Sequence, residues 1–208
     1  MGTRSVNDMK KEFHTINNVF SDSSLAVLKK YCSILPSDSS SYDVWPSQIT
    51  NYNQLPECFT SSLQGKDKMF ILNELFNHSE LPCAGEKWLK DADIAIQKIV
   101  PGGSIAEHRD HCRFSLTIFL SEVDGGEFVW KNESGTVRYT VSPQYNRGIY
   151  AHYPAIEVGA FHEVLPVLAN TRYTLQLFVF DQENNYVATC GNKYDIYQDP
   201  KQNYGKDK

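Results

Sequence analysis

Residues 101–121 read Pro101-Gly102-Gly103-Ser104-Ile105-Ala106-Glu107-His108-Arg109-Asp110-His111-Cys112-Arg113-Phe114-Ser115-Leu116-Thr117-Ile118-Phe119-Leu120-Ser121. A Gly-Gly turn leads into one short run of strand-forming residues, and a second run follows almost at once. Downstream, residues 127–131, 136–142, 147–153, 161–164 and 172–180 are again β-rich, with Asp124-Gly125-Gly126 and Ser134-Gly135 as turns between them. Residues 94–100 add a strand upstream. Seven or eight short strands at this spacing predict a β-sandwich or jelly roll, and no internal repeat divides the chain.

Upstream of this core, residues 12–20 alternate loosely and read as a strand. Ser21 to Ser24 then offer N-cap oxygens, and Leu25, Leu28, Cys32 and Leu35 recur at helical spacing before Pro36. From 37 to 63 the periodicity vanishes. A loop this long in a compact domain is usually a lid, a binding loop or disorder, and Tyr42, Trp45 and Tyr52 argue for an ordered lid, with simple packing on the core as the alternative. Met69, Leu72, Leu75 and Phe76 mark one buried face of a helix over 67–78. The expected organisation is one domain over 1–208. It comprises a strand, packing helices and lid loop (37–63) in 12–92, the β core in 93–180, and a polar tail in 181–208 that Tyr186, Tyr194 and Tyr197 could pin.

A 23.7 kDa chain of 208 residues suits one large domain. Its formal charge of −5 gives no basic field for a nucleic-acid backbone, so none is expected as a partner. Cys32, Cys58, Cys83, Cys112 and Cys190 are an odd set without a C-x-x-C pair. With no apolar leader after Met1, they read as reduced thiols in a cytoplasmic protein. No run approaches the ~18 apolar residues of a membrane span. Oligomeric state is left open.

The chemistry concentrates in the β core. On a strand, residues i and i+2 share a face, so His108 and Asp110 converge while Arg109 turns away. His162, on a later strand, supplies a third ligand. Two histidines and one carboxylate form a facial triad suited to non-haem Fe(II). An H-x-D tripeptide alone is weak, since six His and thirteen Asp in 208 residues make roughly 0.4 such matches by chance. Flanking glycine turns, His162 and Arg172 raise it. His111 is a rival ligand that i, i+2 geometry disfavours, and His152 reads better as a surface or packed residue. His-Arg-Asp also occurs in protein-kinase catalytic loops, but no G-x-G-x-x-G or D-F-G accompanies it. Arg172 opens the strongly apolar run Leu175-Gln176-Leu177-Phe178-Val179-Phe180, where a buried guanidinium needs a partner. A carboxylate meets it through two parallel hydrogen bonds, and Thr174, two residues on, can share that carboxylate.

These residues resemble the prolyl-4-hydroxylase-like branch of the Fe(II)/2-oxoglutarate dioxygenases. The resemblance is good over about 94–180 and looser over 12–35. Pro101-Gly102-Gly103, His108-Arg109-Asp110, Gly125-Gly126-Glu127-Phe128, Val141-Ser142-Pro143 and His162-Glu163-Val164-Leu165-Pro166-Val167 follow the family's order. Asn170-Thr171-Arg172-Tyr173-Thr174 looks especially like the hypoxia-sensing enzymes. The resemblance implies a mainly β fold with flanking helices, a cupin-like double-stranded β-helix. It implies Fe(II) on His108, Asp110 and His162, and 2-oxoglutarate anchored by Arg172. It also implies O2 as co-substrate and ascorbate as a candidate reductant. The expected reaction hydroxylates an unactivated C–H bond, first a prolyl residue in a protein or peptide, and releases succinate and CO2. A free amino acid or other small molecule is the alternative substrate, and an inactive jelly-roll binding module the alternative role. Asp110 separates the chain from related halogenases. Where relatives often carry cofactor-binding tyrosines, this chain has Ile99 and Phe119; Thr117, Thr174, Gln176 and Tyr150 are the candidates to replace them.

Overall fold

The computed structural model describes residues 13–35, 58–81, 84–92, 94–108, 114–132, 134–152, 161–182 and 185–189. In chain order the elements are β1 (Phe13–Asn17), α1 (Asp22–Ile34), β2 (Cys58–Ser62), α2 (Gly65–Asn77), a 3-10 turn (Lys87–Asp91), β3 (Ala95–Ile99), β4 (Ile105–His108) and β5 (Phe114–Phe119). They continue with β6 (Asp124–Gly125), β7 (Phe128–Lys131), β8 (Val137–Val141), β9 (Arg147–His152), β10 (Phe161–Val164), β11 (Val167–Ala169), β12 (Arg172–Gln182) and β13 (Asn185–Thr189).

Strand β12 sits inside a seven-stranded sheet ordered β1-β9-β5-β12-β3-β2, with β13 also paired to β12. A four-stranded sheet, β4-β10-β7-β8, faces it, and β11-β6 forms a small third sheet. All these pairings are antiparallel. Ile99, Phe119, Ile149 and Ala151 of the large sheet pack with Ile105, Phe128, Trp130, Val141 and Val164 of the smaller one, which makes the interior of the jelly roll. The other face of the large sheet, with Ile96, Leu116, Ile118, Tyr150, Leu175, Leu177 and Val179, packs on Leu25, Leu28 and Cys32 of α1 and Ile71, Leu72 and Leu75 of α2. The period-2 alternation of the strands thus feeds two separate cores. Burial pushes the Cys32 thiol up to about 12, so it packs as a small apolar group.

Helix α1 starts as its serines predict. Ser21 is the N-cap and its hydroxyl accepts from the Ser24 amide. Glu74 on α2 supports the same end, accepting from the Ser21 amide at 2.5 Å and from the Ser24 hydroxyl.

Three expectations are corrected. Residues 58–62, inside the expected loop, form β2 and pair along β3 from Cys58↔Ile99 to Ser62↔Ala95. Its Ser/Thr-rich sequence lacks strand alternation, and the ladder to β3 supplies the hydrogen bonding that propensity does not announce. The rest of the supposed lid, with Tyr42, Trp45 and Tyr52, lies outside the described residues. Residues 185–189, placed in the loose tail, form β13 against Phe178–Gln182. Met69 is 53% exposed, because the buried stripe of α2 runs through Ile71, Leu72 and Leu75. Strands β6 and β11 are too short to leave a periodic signal.

Asn146 ties the layers together. At φ 60 it sits in the left-handed region that asparagine tolerates. Its side chain both accepts from the Phe20 amide and donates to the Phe20 carbonyl, each at 2.8 Å, while its own amide donates to the Phe119 carbonyl at 2.8 Å. Asn146→Ala should strand both buried Phe20 groups and cost about 2–4 kcal/mol, measured by urea unfolding at unchanged m-value; a loss under about 0.5 kcal/mol would show that water replaces the amide.

Candidate functional site

Alternation along β12 places Arg172, Thr174 and Gln176 on the interior face, since Leu175, Leu177 and Val179 belong to the helix-side core. All three are buried: Arg172 is 1% exposed, Thr174 0% and Gln176 7%. The Arg172 guanidinium lies 5.2 Å from the centre of the Phe119 ring, and its Nε donates to the Gly126 carbonyl at 3.2 Å. Gly126 makes that approach possible. Its φ of 67 is left-handed, and a Cβ there would meet Arg172 Cδ at 3.0 Å and Val167 Cγ2 at 3.1 Å.

Thr174 stands directly opposite Phe119 on one side and Gln97 on the other. Its hydroxyl oxygen is fully buried and has no hydrogen-bond partner among the described residues. An orphaned hydroxyl beside a buried cation fits a bound carboxylate, which would accept from both. Thr117 shares this face, opposite Gln176 and Ile149.

The structure separates Tyr150 from this group. It is 0% exposed but belongs to the helix-side core, opposite Leu116 and His14. A one-residue offset from Ile149 turns it to the far face of the sheet, so it does not line the interior with Thr117, Thr174 and Gln176.

On the smaller sheet, His162 pairs in register with His108. Antiparallel partners directly opposite hold Cα atoms about 4.5–5.5 Å apart, so two residues 54 positions apart in the chain become neighbours. His162 is 4% exposed, and its ring stacks on Phe128 (5.1 Å between centroids) and Trp130 (5.4 Å). Arg109, Asp110 and the rival His111 lie outside the described residues. The described part therefore brings together two of the three expected metal-ligand positions at the level of the backbone, and Arg172 with Thr174 as a separate polar cluster.

One feature of this sheet was not anticipated. Lys131 on β7 bridges Glu163 on β10 at 2.6 Å and Glu107 on β4 at 2.9 Å. Hydrogen bonds that Lys131 donates to Glu163 and then to Glu107 raise its pKa above the usual value. A raised lysine pKa means that the bridge contributes fully below about pH 10.5 and is lost as pH rises through the folded value. Glu107 and Glu163 immediately precede and follow the register pair His108↔His162, so the bridge pins the strands that carry both histidines. Their spacing is unremarkable in the sequence, because the three charges meet only through strand pairing. Lys131→Met should lower stability by about 1 kcal/mol; a variant with wild-type thermal stability would reduce the bridge to a surface ion pair.

No family model matches the chain, and no curated protein matches it. Solved structures do. A prolyl hydroxylase from Trichoplax adhaerens, solved with a hypoxia inducible factor oxygen degradation domain peptide fragment, superposes with a TM-score of 0.57 at 18% identity, covering 86% of this chain and 88% of its own. The viral collagen prolyl hydroxylase of Paramecium Bursaria Chlorella virus-1, in its 2OG complex, gives 0.55 at 14% identity, over 84% and 98%. An oxidoreductase of the 2OG-Fe(II) oxygenase family from Burkholderia pseudomallei gives 0.52 at 16%, over 80% and 84%. The chain therefore has the jelly-roll fold of the 2-oxoglutarate- and iron-dependent oxygenases.

Proposed function

We propose that this protein is an Fe(II)- and 2-oxoglutarate-dependent dioxygenase that hydroxylates an unactivated C–H bond, with a prolyl residue in a protein or peptide as its first candidate substrate. The observation that carries the reading is Arg172, a guanidinium 1% exposed on the interior face of this fold, beside the orphaned Thr174 hydroxyl. The Thr174 hydroxyl, buried beside that cation with no hydrogen-bond partner among the described residues, fits the far carboxylate of a dicarboxylate cofactor.

In this reading His108, Asp110 and His162 hold the metal. Arg172 and Thr174 hold the distal carboxylate of the cofactor, the guanidinium through charge and paired N–H donors, the threonine through its hydroxyl. Phe119 offers Arg172 a ring face in place of a phenol hydroxyl. Phe128 and Trp130, stacked on His162, set its ring plane and keep water from that side. Bound iron and 2-oxoglutarate supply the oxidising chemistry, in which O2 is consumed, succinate and CO2 leave, and one oxygen atom reaches the substrate C–H bond. The prolyl assignment draws support from the viral and Trichoplax enzymes, whose names state prolyl hydroxylation, and a peptide substrate from the bound fragment in the latter.

The test is succinate release by the full chain supplied with Fe(II), 2-oxoglutarate, ascorbate and air, alone and with panels of proline-containing peptides and free amino acids. Peptide-stimulated succinate with an added 16 Da on the peptide, a mass fixed by one oxygen atom (about 16 Da,), supports the proposal; stimulation by a free amino acid alone moves the substrate to the small-molecule class, and no 2-oxoglutarate turnover or binding under any condition leaves a binding module.

Two variants sharpen it. Arg172→Ala should weaken 2-oxoglutarate binding by about a hundredfold or more, since two charge-assisted bonds are lost, while Fe(II) still binds. Thr174→Val should leave the ligand-free protein as stable as wild type or more so, because it removes a buried hydroxyl with no hydrogen-bond partner among the described residues, yet weaken 2-oxoglutarate binding by about tenfold. Destabilisation of ligand-free Thr174→Val in a melting experiment would mean that the hydroxyl serves the fold.

A further inference from the structure

Resting on the reading above, we infer that Gln97 is a further donor to the distal carboxylate of the cofactor, held in position by Gln176. Gln97 is on β3 and 1% exposed. Register sets it directly opposite Thr174, and the next interior position of β3, Ile99, directly opposite Arg172. Gln97 is therefore the diagonal neighbour of Arg172 on the same face, at a separation of about 7–8 Å that a long side chain spans.

Its amide is half committed. Gln176 Nε2 donates to Gln97 Oε1 at 2.8 Å, which fixes the plane of the Gln97 amide and uses its oxygen. Gln97 Nε2, a donor, and Gln176 Oε1, an acceptor, are both buried and have no hydrogen-bond partner among the described residues. Together with Thr174 Oγ1, that makes three buried polar atoms without protein partners on adjoining positions of one sheet face. Buried polar atoms in native interiors are usually hydrogen-bonded, so a ligand that accepts from Gln97 Nε2 and Thr174 Oγ1 is the simplest explanation of these two donors.

Complementarity selects the ligand group. Beside a buried guanidinium, a spare amide N–H and a hydroxyl converge as donors, and a carboxylate oxygen accepts from both. It also chooses the orientation of the glutamine pair, since the reversed arrangement would turn an amide oxygen toward the anion. On the β5 side the facing residue is Phe119, which has no polar atom. The donors that adjoin Arg172 directly are Thr174 on β12 and Gln97 on β3, so the carboxylate is gripped from the side of Arg172 away from Phe119. Gln176 touches Gln97 and not the carboxylate, which makes it a positioning residue.

The experiment is calorimetric titration of the full chain, loaded with Mn(II) to prevent turnover, with 2-oxoglutarate and with 2-oxopentanoate, which keeps the keto-acid end but lacks the distal carboxylate. Gln97→Met should weaken 2-oxoglutarate binding roughly ten- to a hundredfold, the range for a hydrogen bond to a charged group, and leave 2-oxopentanoate binding unchanged. Gln176→Met should weaken 2-oxoglutarate less, and add nothing in the Gln97→Met background. If Gln97→Met does not fold, Gln97→Glu keeps the shape and should oppose 2-oxoglutarate selectively through like charge. Unchanged 2-oxoglutarate affinity in the Gln97 variants overturns the inference and leaves the Arg172 anchor standing. Equal losses for both ligands overturn it in favour of a packing role. A wild-type chain that binds no 2-oxoglutarate removes the reading on which it rests.

Discussion

Strand β12 is buried on both faces, and the two faces bury different chemistry. Toward the helices it presents Leu175, Leu177 and Val179 to a dry core; toward the interior it presents Arg172, Thr174 and Gln176. Apolar burial on the first face is favourable wherever it happens. A guanidinium and a hydroxyl on the second are tolerable only where partners meet them. Because the side-chain period is two, neither face can change without shifting the other, and this register constraint anchors the apolar core and the candidate cofactor site to the same strand.

The neighbours of β12 extend that division. Phe119 on β5 and Ile99 on β3 flank the polar row with apolar surface, and the pairings Thr174↔Phe119 and Thr174↔Gln97 put a ring on one side and an amide on the other. Backbone freedom at Gly126 lets the chain pass within contact of Arg172 and hand it a carbonyl. The second sheet is held by charge on its outer face, where Lys131 neutralises Glu107 and Glu163, and by stacked rings on its inner face, where Phe128 and Trp130 meet His162. Two parts of the interior are thus built by different forces: a buried cation on one sheet, and a histidine stacked on two rings on the other.

Identity of 14–18% with the three structures described above shows how far sequence can drift while the fold persists. What a jelly roll requires is alternation, turn placement and volume, which many residue sets supply. Activity depends on a handful of side chains placed on that frame. Here the frame carries Arg172 at the start of a central strand and His162 opposite His108 at the end of β4.

The sequence by itself determined the β-rich core, the two helices and the shared face of Arg172 and Thr174, because period-2 alternation, Ser21 capping and helical spacing are local signals that survive without knowing the partner strand. It also marked His108 and His162, through their motif and strand contexts. Only the tertiary structure decided what depends on pairing. Cys58–Ser62 became a strand because β3 had an open edge, and Tyr150 went to the helix side because Thr117 is opposite Ile149. Asn146 reached Phe20 across 126 positions, Lys131 found two carboxylates on different strands, and Gln97 arrived beside Thr174. None of these carries a local signature, since a hydrogen bond or ion pair between distant segments leaves no periodicity in either one and exists only once register has brought them together.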